Sequence, residues 1–261
     1  MIKVGKGGFE PHVAQDFGGG SAGDGVAVER SHGAANDQVG AITMARSGPR
    51  SGLPGSEEST TGEDEGTHYN KSVSCFMQFN PADYGPEIAR ALALDGNGNR
   101  LIPLRCGPCS SPEARRLLKD LKPAELFPGV EEPEAPMAGL WLYFSCFEEA
   151  HELANYCETE EGYLWHAIIH RMENDFGNAA YWFRKAGRHP VYRLLAPEAI
   201  KITHKHPRVD FRVGRWDPFA FISFCDRVRH QPGTLQQRVA LLIQRAEWQV
   251  LFDYCARPHE L

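Results

Sequence analysis

The chain has 261 residues and a formal net charge of −6. That acidic balance argues against general nucleic-acid binding, although the stretch THKHPRVDFRVGR is locally basic. No apolar run approaches the roughly 20 residues that a membrane helix needs; the longest candidate, MAGLWLYFSCF, is too short.

Fifteen of the 26 glycines fall within residues 1–70, whereas all five tryptophans and all seven cysteines come later. The opening stretches GGFEPHVAQDFGGGSAGDG and SGPRSGLPGSEESTTGEDEGTH have almost no apolar periodicity. They carry too little apolar surface to offset the entropy of ordering them. Residues 1–76 are therefore expected to form a disordered, Gly/Ser-rich extension that need not be native coding sequence, with Met77 as the natural start. The beginning lacks the charged and apolar regions of a secretory signal. The cysteines, odd in number and irregular in spacing, fit mostly buried free thiols in a reducing compartment. The expected location is therefore the cytoplasm. Residues 77–261 suffice for one α-helical domain with a single core.

Helical signals dominate from Pro81 onward. NRLIPLR is the one strand-like run, and a single strand has no partner. SSPEARRLLKDL offers Ser111 as N-cap, with proline at the first helical position. PEAPMAGLWLYFSCFEEAHELANYC is apolar on most sides at first and amphipathic later, as expected of a helix running into a core. EEGYLWHAIIHRMEND and NAAYWFRKAG follow as two helices, with a break at Phe176-Gly177 and Gly187 as the C-cap of the second. DPFAFISFCDRVR opens on Asp217 as N-cap, and TLQQRVALLIQRAEWQVLFDYC opens on a capping box of Thr234 and Gln237. The fold class predicted is mainly α: a helical bundle with antiparallel hairpins. The five tryptophans are most simply core.

In NDFGNAAYWFRKAGRHP, Ala179, Phe183, Ala186 and Pro190 stand near the small, aromatic, small and proline positions of a tetratricopeptide second helix, which the segment resembles. The likeness covers one unit, and no second copy follows at that period, so no repeat array is implied. Over a longer range, YGPEIAR, GLWLYFSCFEEAHELA, WHAIIHRMENDFGNAAYWFRKAGRHPVY, WDPFAFISFC and EWQVLFDYC are similar to a family of uncharacterised bacterial and fungal helical proteins. That resemblance, from about Asn80 to the C-terminus, implies that the N-terminal third is an addition. It carries over no activity.

The chemistry-bearing residues lie in the hairpin. On a helix, residues four apart are rotated by about 40° and residues seven apart by about 20° the other way. His166, His170 and Glu173 therefore share a face. His151, on the preceding helix, lies at a height similar to His166 if a short turn near Glu158 to Glu161 reverses the chain. Three imidazoles and a carboxylate between helices suit zinc, iron or manganese. The histidines would be ligands, and Glu173 a fourth ligand or the general base on a bound water. Two other readings stand beside this one. The histidines are core residues satisfied by Glu148, Glu173 or Asp175, or they form a metal-free acid–base site in which His170 moves a proton and Glu173 or Glu148 orients it. A non-enzymatic module, packing its hairpin against a protein partner or a second copy in a homodimer, is the rival to any enzyme.

Three other motifs read as structural. Cys106-Gly-Pro-Cys109 has the thioredoxin spacing but lacks the downstream strands, and is expected to be an incidental or exposed pair. LDGNGNRLIPLRC starts like a calcium loop, but Arg100 and Cys106 occupy its glycine and glutamate positions; it is a turn. Arg184, Arg188 and His189 form a candidate anion-binding edge, explained equally well as solvated charges at a helix end.

Overall fold

The computed structural model describes residues 78–259. The expected extension and the Met77 start lie outside them. Among the described residues there are ten α-helices and no strand. After a 3-10 turn at Pro81–Tyr84 come α1 (Pro86–Ala93), α2 (Pro112–Lys119), α3 (Pro123–Leu126), α4 (Glu134–Tyr143) and α5 (Phe147–Tyr156). They are followed by α6 (Glu160–Glu173), α7 (Phe176–Ala186), α8 (Val191–Lys205), α9 (Pro218–Val228) and α10 (Leu235–Cys255). None is long and apolar enough to cross a membrane.

The helix starts follow the capping chemistry in the sequence. Ser111 Oγ accepts from the Ala114 N–H at the start of α2, and Asp217 Oδ1 accepts from Phe219 and Ala220 at the start of α9. Thr234 Oγ1 caps α10 at Gln237, while the Gln237 side chain reaches past the cap to the Gly233 N–H. Asn174 adopts a left-handed φ of 74° and ends α6 directly after Glu173. The chain breaks there and at Asp175, so α7 begins at Phe176 rather than after Gly177. Asp175 Oδ1 caps it by accepting the Asn178 N–H.

Two elements differ from expectation. The segment from Glu134 to Cys157 is two helices, not one: Ser145 takes a φ of 58°, and α4 stops at Tyr143. Its last turn is claimed from outside, because the Arg100 guanidinium donates to the Tyr143 carbonyl and to Ser145 Oγ. NRLIPLR forms no strand, and it bends at Leu104 and Arg105. Its Ile102 and Leu104 side chains are buried, and the Ile102 and Pro103 carbonyls accept from Gln244 Nε2 of α10 at 2.9 and 3.0 Å. A side-chain amide thus satisfies backbone groups that a sheet would otherwise have to satisfy.

The core lies around α4, α6 and α10. Nine consecutive residues of α4, Ala135 to Tyr143, are buried. Gly139 lets α6 approach: a Cβ there would stand 2.6 Å from the Trp165 ring. Its carbonyl accepts from Trp248 Nε1 of α10 at 2.7 Å. On α6 the opposite side from the histidines carries Arg171, 1% exposed, paired with Glu247 of α10, which is 4% exposed. This buried ion pair fixes the rotation of α6 about its own axis and therefore where the histidine face points.

Candidate metal centre

The α5–α6 turn at Cys157 to Thr159 doubles the chain back, and Thr159 Oγ1 caps α6 by accepting the Gly162 N–H. His151 and His166 arrive at the same height, with Nε2 atoms 2.8 Å apart. His166 is sandwiched between the Trp182 ring (centroids 4.0 Å apart) and His170 (4.7 Å). His151 meets both histidines edge-on, at 4.7 and 4.9 Å. One nitrogen from each of the three rings lies within 4.8 Å of the other two. The predicted trio is therefore brought together on α5 and α6, with Trp182 of α7 as its wall.

Glu173 stands behind the trio. Its Oε1 is 3.5 Å from Nδ1 of His151, the nitrogen opposite the one facing His166; its Oε2 is 3.1 Å from Nδ1 of His170. The His151 and Glu173 side chains are each 30% exposed, and those of His166 and His170 lie beneath them. The cluster therefore opens to solvent along its His151–Glu173 rim.

The electrostatics favour a neutral His166 and an ionised Glu173. Burial first, then the neighbouring His151 and His170, push the His166 pKa down from 6.5 to about 3, and Lys185 adds to this against Glu173. Glu173 is drawn down to about 2, first by His151 and then by His170, with burial opposing. A neutral His166 supplies the lone pair that a metal requires. With the Nε2 atoms of His151 and His166 at 2.8 Å, one proton, not two, lies between the rings.

The reading of satisfied core histidines fits another residue better. His189 is 3% exposed, its Nδ1 accepts from the Val191 N–H at 3.2 Å, and its Nε2 stands 3.2 Å from Glu161. Both of its nitrogens are occupied, so it contributes nothing to the expected anion-binding edge with Arg184 and Arg188. In contrast, Nδ1 of His166 and of His170 are buried with no aligned hydrogen-bond partner in the protein.

The carboxylates suggested as alternatives to Glu173 are elsewhere. The Glu148 side chain is 92% exposed and pairs with Arg115 at 3.6 Å, because its position on α5 faces α2 rather than α6. Asp175 is used as the α7 cap.

Cys106-Gly-Pro-Cys109 does not form an internal pair: Cys109 is bonded to Cys146 at the start of α5, and Cys106 is free and exposed. Although the residue is exposed, partial desolvation of its sulfur, ahead of the charge of Glu173, pushes the Cys106 thiol up to about 12, the reverse of what an attacking thiolate needs. The Cys106 N–H donates to the Met172 carbonyl at 2.9 Å, which ties this loop to the last turn of α6, next to Glu173.

Two contributors were not singled out by sequence. Trp182, expected in the core, is half-buried and stacked on His166. Lys185, one turn further along α7, holds its ammonium over the Tyr163 and Trp182 rings, 4.1 and 4.7 Å from their centroids. Their i, i+3 spacing places both on one face of α7, but nothing in the sequence says that this face meets the histidines.

No protein-family model, no curated protein and no solved structure matches this chain.

Proposed function

We propose that His151, His166 and His170 hold a divalent metal ion, zinc in preference to iron or manganese, with Glu173 as the carboxylate that orients two of the ligands. The observation that carries this is the convergence of three imidazole nitrogens within 4.8 Å, with the buried Nδ1 of His166 left without a protein partner and that of His170 facing only Glu173 at 3.1 Å. Tetrahedral zinc with Zn–N of about 2.0–2.1 Å sets its ligand nitrogens about 3.3–3.4 Å apart. The closest pair, at 2.8 Å, would open by about half an ångström and the rest of the trio would draw in, within the reach of imidazole χ rotations. A donor set of three nitrogens suits zinc; iron and manganese favour more oxygen ligands and higher coordination. Glu173, on the Nδ1 side of His151, has the place of the outer carboxylate in a carboxylate–histidine–zinc arrangement.

Three neutral ligands would leave a fourth position for water. The chemistry that goes with this is hydrolytic, a metal-bound water acting as nucleophile near neutral pH. The test is competitive zinc titration of the full chain against a chromophoric chelator. One tightly held zinc per chain is expected, abolished in His151→Ala and in His166→Ala/His170→Ala. Equal zinc uptake by parent and variants would sink the assignment and leave the metal-free acid–base reading, with His170 moving a proton beside Glu173.

A cytoplasmic location belongs to the same proposal. The free, buried thiols of Cys157, Cys225 and Cys255 support it, and the Cys109–Cys146 bond speaks against it. The rival interaction module draws on the tetratricopeptide likeness of α6 and α7. Ala179, Phe183 and Ala186 are buried as that pattern requires, and Tyr181 and Phe219 are 52% and 39% exposed beside them. Self-association of the full chain in sedimentation, lost in Tyr181→Ser/Phe219→Ser, would favour it. Kinship with the bacterial and fungal helical family rests on the quoted sequence strings alone.

A further inference from the structure

The proposed metal centre has a charge at each end. Along α6, Tyr163 and Glu173 are separated by a rise of about 15 Å. Glu173 stands at one end, near the loop of Cys106. At the other, Lys185 lies over the faces of Tyr163 and Trp182, and Trp182 is itself stacked on His166.

Arg184, the preceding residue, turns away to the Phe219 ring of α9 at 5.5 Å, so of these two neighbouring cations it is Lys185 that lies on the Tyr163–Trp182 wall. Two aromatic faces narrow the positions open to its flexible stem, so an anion bound there meets a partly organised ammonium group.

Resting on the metal reading, we propose that Lys185, seated on Tyr163 and Trp182, is an oxyanion subsite of the centre and selects substrates bearing a carboxylate or phosphoryl group beside the bond that is cleaved. The charge count agrees with this choice. A divalent ion on three neutral imidazoles with one outer carboxylate keeps a net positive charge, and Lys185 adds a second cationic group on the side away from Glu173. An anionic group placed toward Lys185 is attracted by both, whereas one placed toward Glu173 is repelled.

The experiment is cobalt substitution of the full chain. Acetate or inorganic phosphate is titrated at constant ionic strength while the visible cobalt bands are followed. The parent is expected to bind the anion, with affinity falling about tenfold in Lys185→Gln and retained in Lys185→Arg, as removal of one nearby charge implies. Weakening of both anions by Lys185→Gln identifies a general oxyanion site, and weakening of phosphate alone identifies a phosphoryl site; either supports the subsite. Equal anion affinity in parent and Lys185→Gln, with cobalt bound in both, overturns the subsite and leaves the metal centre standing. Failure of the parent to take up cobalt removes the metal centre and the subsite with it.

Discussion

Arg171→Met would leave Glu247 as an unpaired carboxylate in the core. The Arg171 guanidinium donates to both carboxylate oxygens of Glu247, with Nη1 to Oε1 at 3.0 Å, and to Gln244 Oε1 at 3.4 Å. It also lies 4.6 Å from the Phe221 ring centroid. Removing one partner of such a pair costs about 3–5 kcal/mol, because the remaining charge keeps its desolvation penalty and loses its compensation. Replacing both partners, as in Arg171→Met/Glu247→Leu, takes the charge away with its counter-charge and should cost no more than about 1–2 kcal/mol. Gln244 keeps its bonds to the Ile102 and Pro103 carbonyls in either variant, so that segment stays anchored. At about 2–4 °C per kcal/mol for a domain of this size, the single variant loses roughly 6–20 °C in Tm and the double only a few degrees. Urea and thermal unfolding of the full chain, followed by tryptophan fluorescence, would measure both. A double variant as unstable as the single one would refute the reasoning, and so would a single variant within about 1 kcal/mol of the parent.

Other perturbations follow from the same geometry. Glu173→Gln keeps the fold but removes the charge behind two ligands, and should weaken zinc binding about 10–100-fold in a chelator competition; an unchanged affinity would mean that Glu173 does not serve the site. Glu161 is held below the usual carboxylate range, first by His189. Its contribution is therefore fully present above the unfolded carboxylate pKa and is lost as pH falls through the lower folded value. Glu161→Gln should flatten that acid limb of a stability-versus-pH curve while leaving its slope near neutrality alone, and a parallel downward shift at every pH would contradict the linkage. Gly139→Ala drives a methyl to within 2.6 Å of the Trp165 ring at the α4–α6 crossing. Overpacking of that kind should cost about 1–3 kcal/mol in urea unfolding, and a neutral substitution would show that the crossing relaxes freely.

Local chemistry was legible in the sequence; relations between helices were less so. Ser111, Asp217 and Thr234 cap the helices that their positions predict, because an N-cap bond is made within a few residues and needs no partner from elsewhere. The facing of His151 and His166 also followed locally, from helical periodicity and a short turn. The break of the α4–α5 segment at Ser145 did not, since the guanidinium that terminates α4 comes from Arg100, over forty residues earlier. Helix α8 was hidden by Pro197. That proline is tolerated because Arg193, whose carbonyl loses its donor, lies on the exposed side of the helix. Its buried stripe, Val191, Leu195, Ala199 and Thr203, has the expected spacing of four. Among the candidate site residues, Glu173 could be told from Glu148 only by knowing which face of α5 meets α2. Trp182 and Lys185 joined the site through the rotation of α7, which depends on packing and leaves no mark in a single sequence.

The most direct test of the central claim is the metal content of the full chain, purified without a histidine tag and measured by elemental mass spectrometry beside the His166→Ala/His170→Ala variant. The metal-centre account predicts close to one zinc per chain in the parent and none in a folded variant. Parent protein that stays metal-free after exposure to zinc, iron and manganese would contradict it.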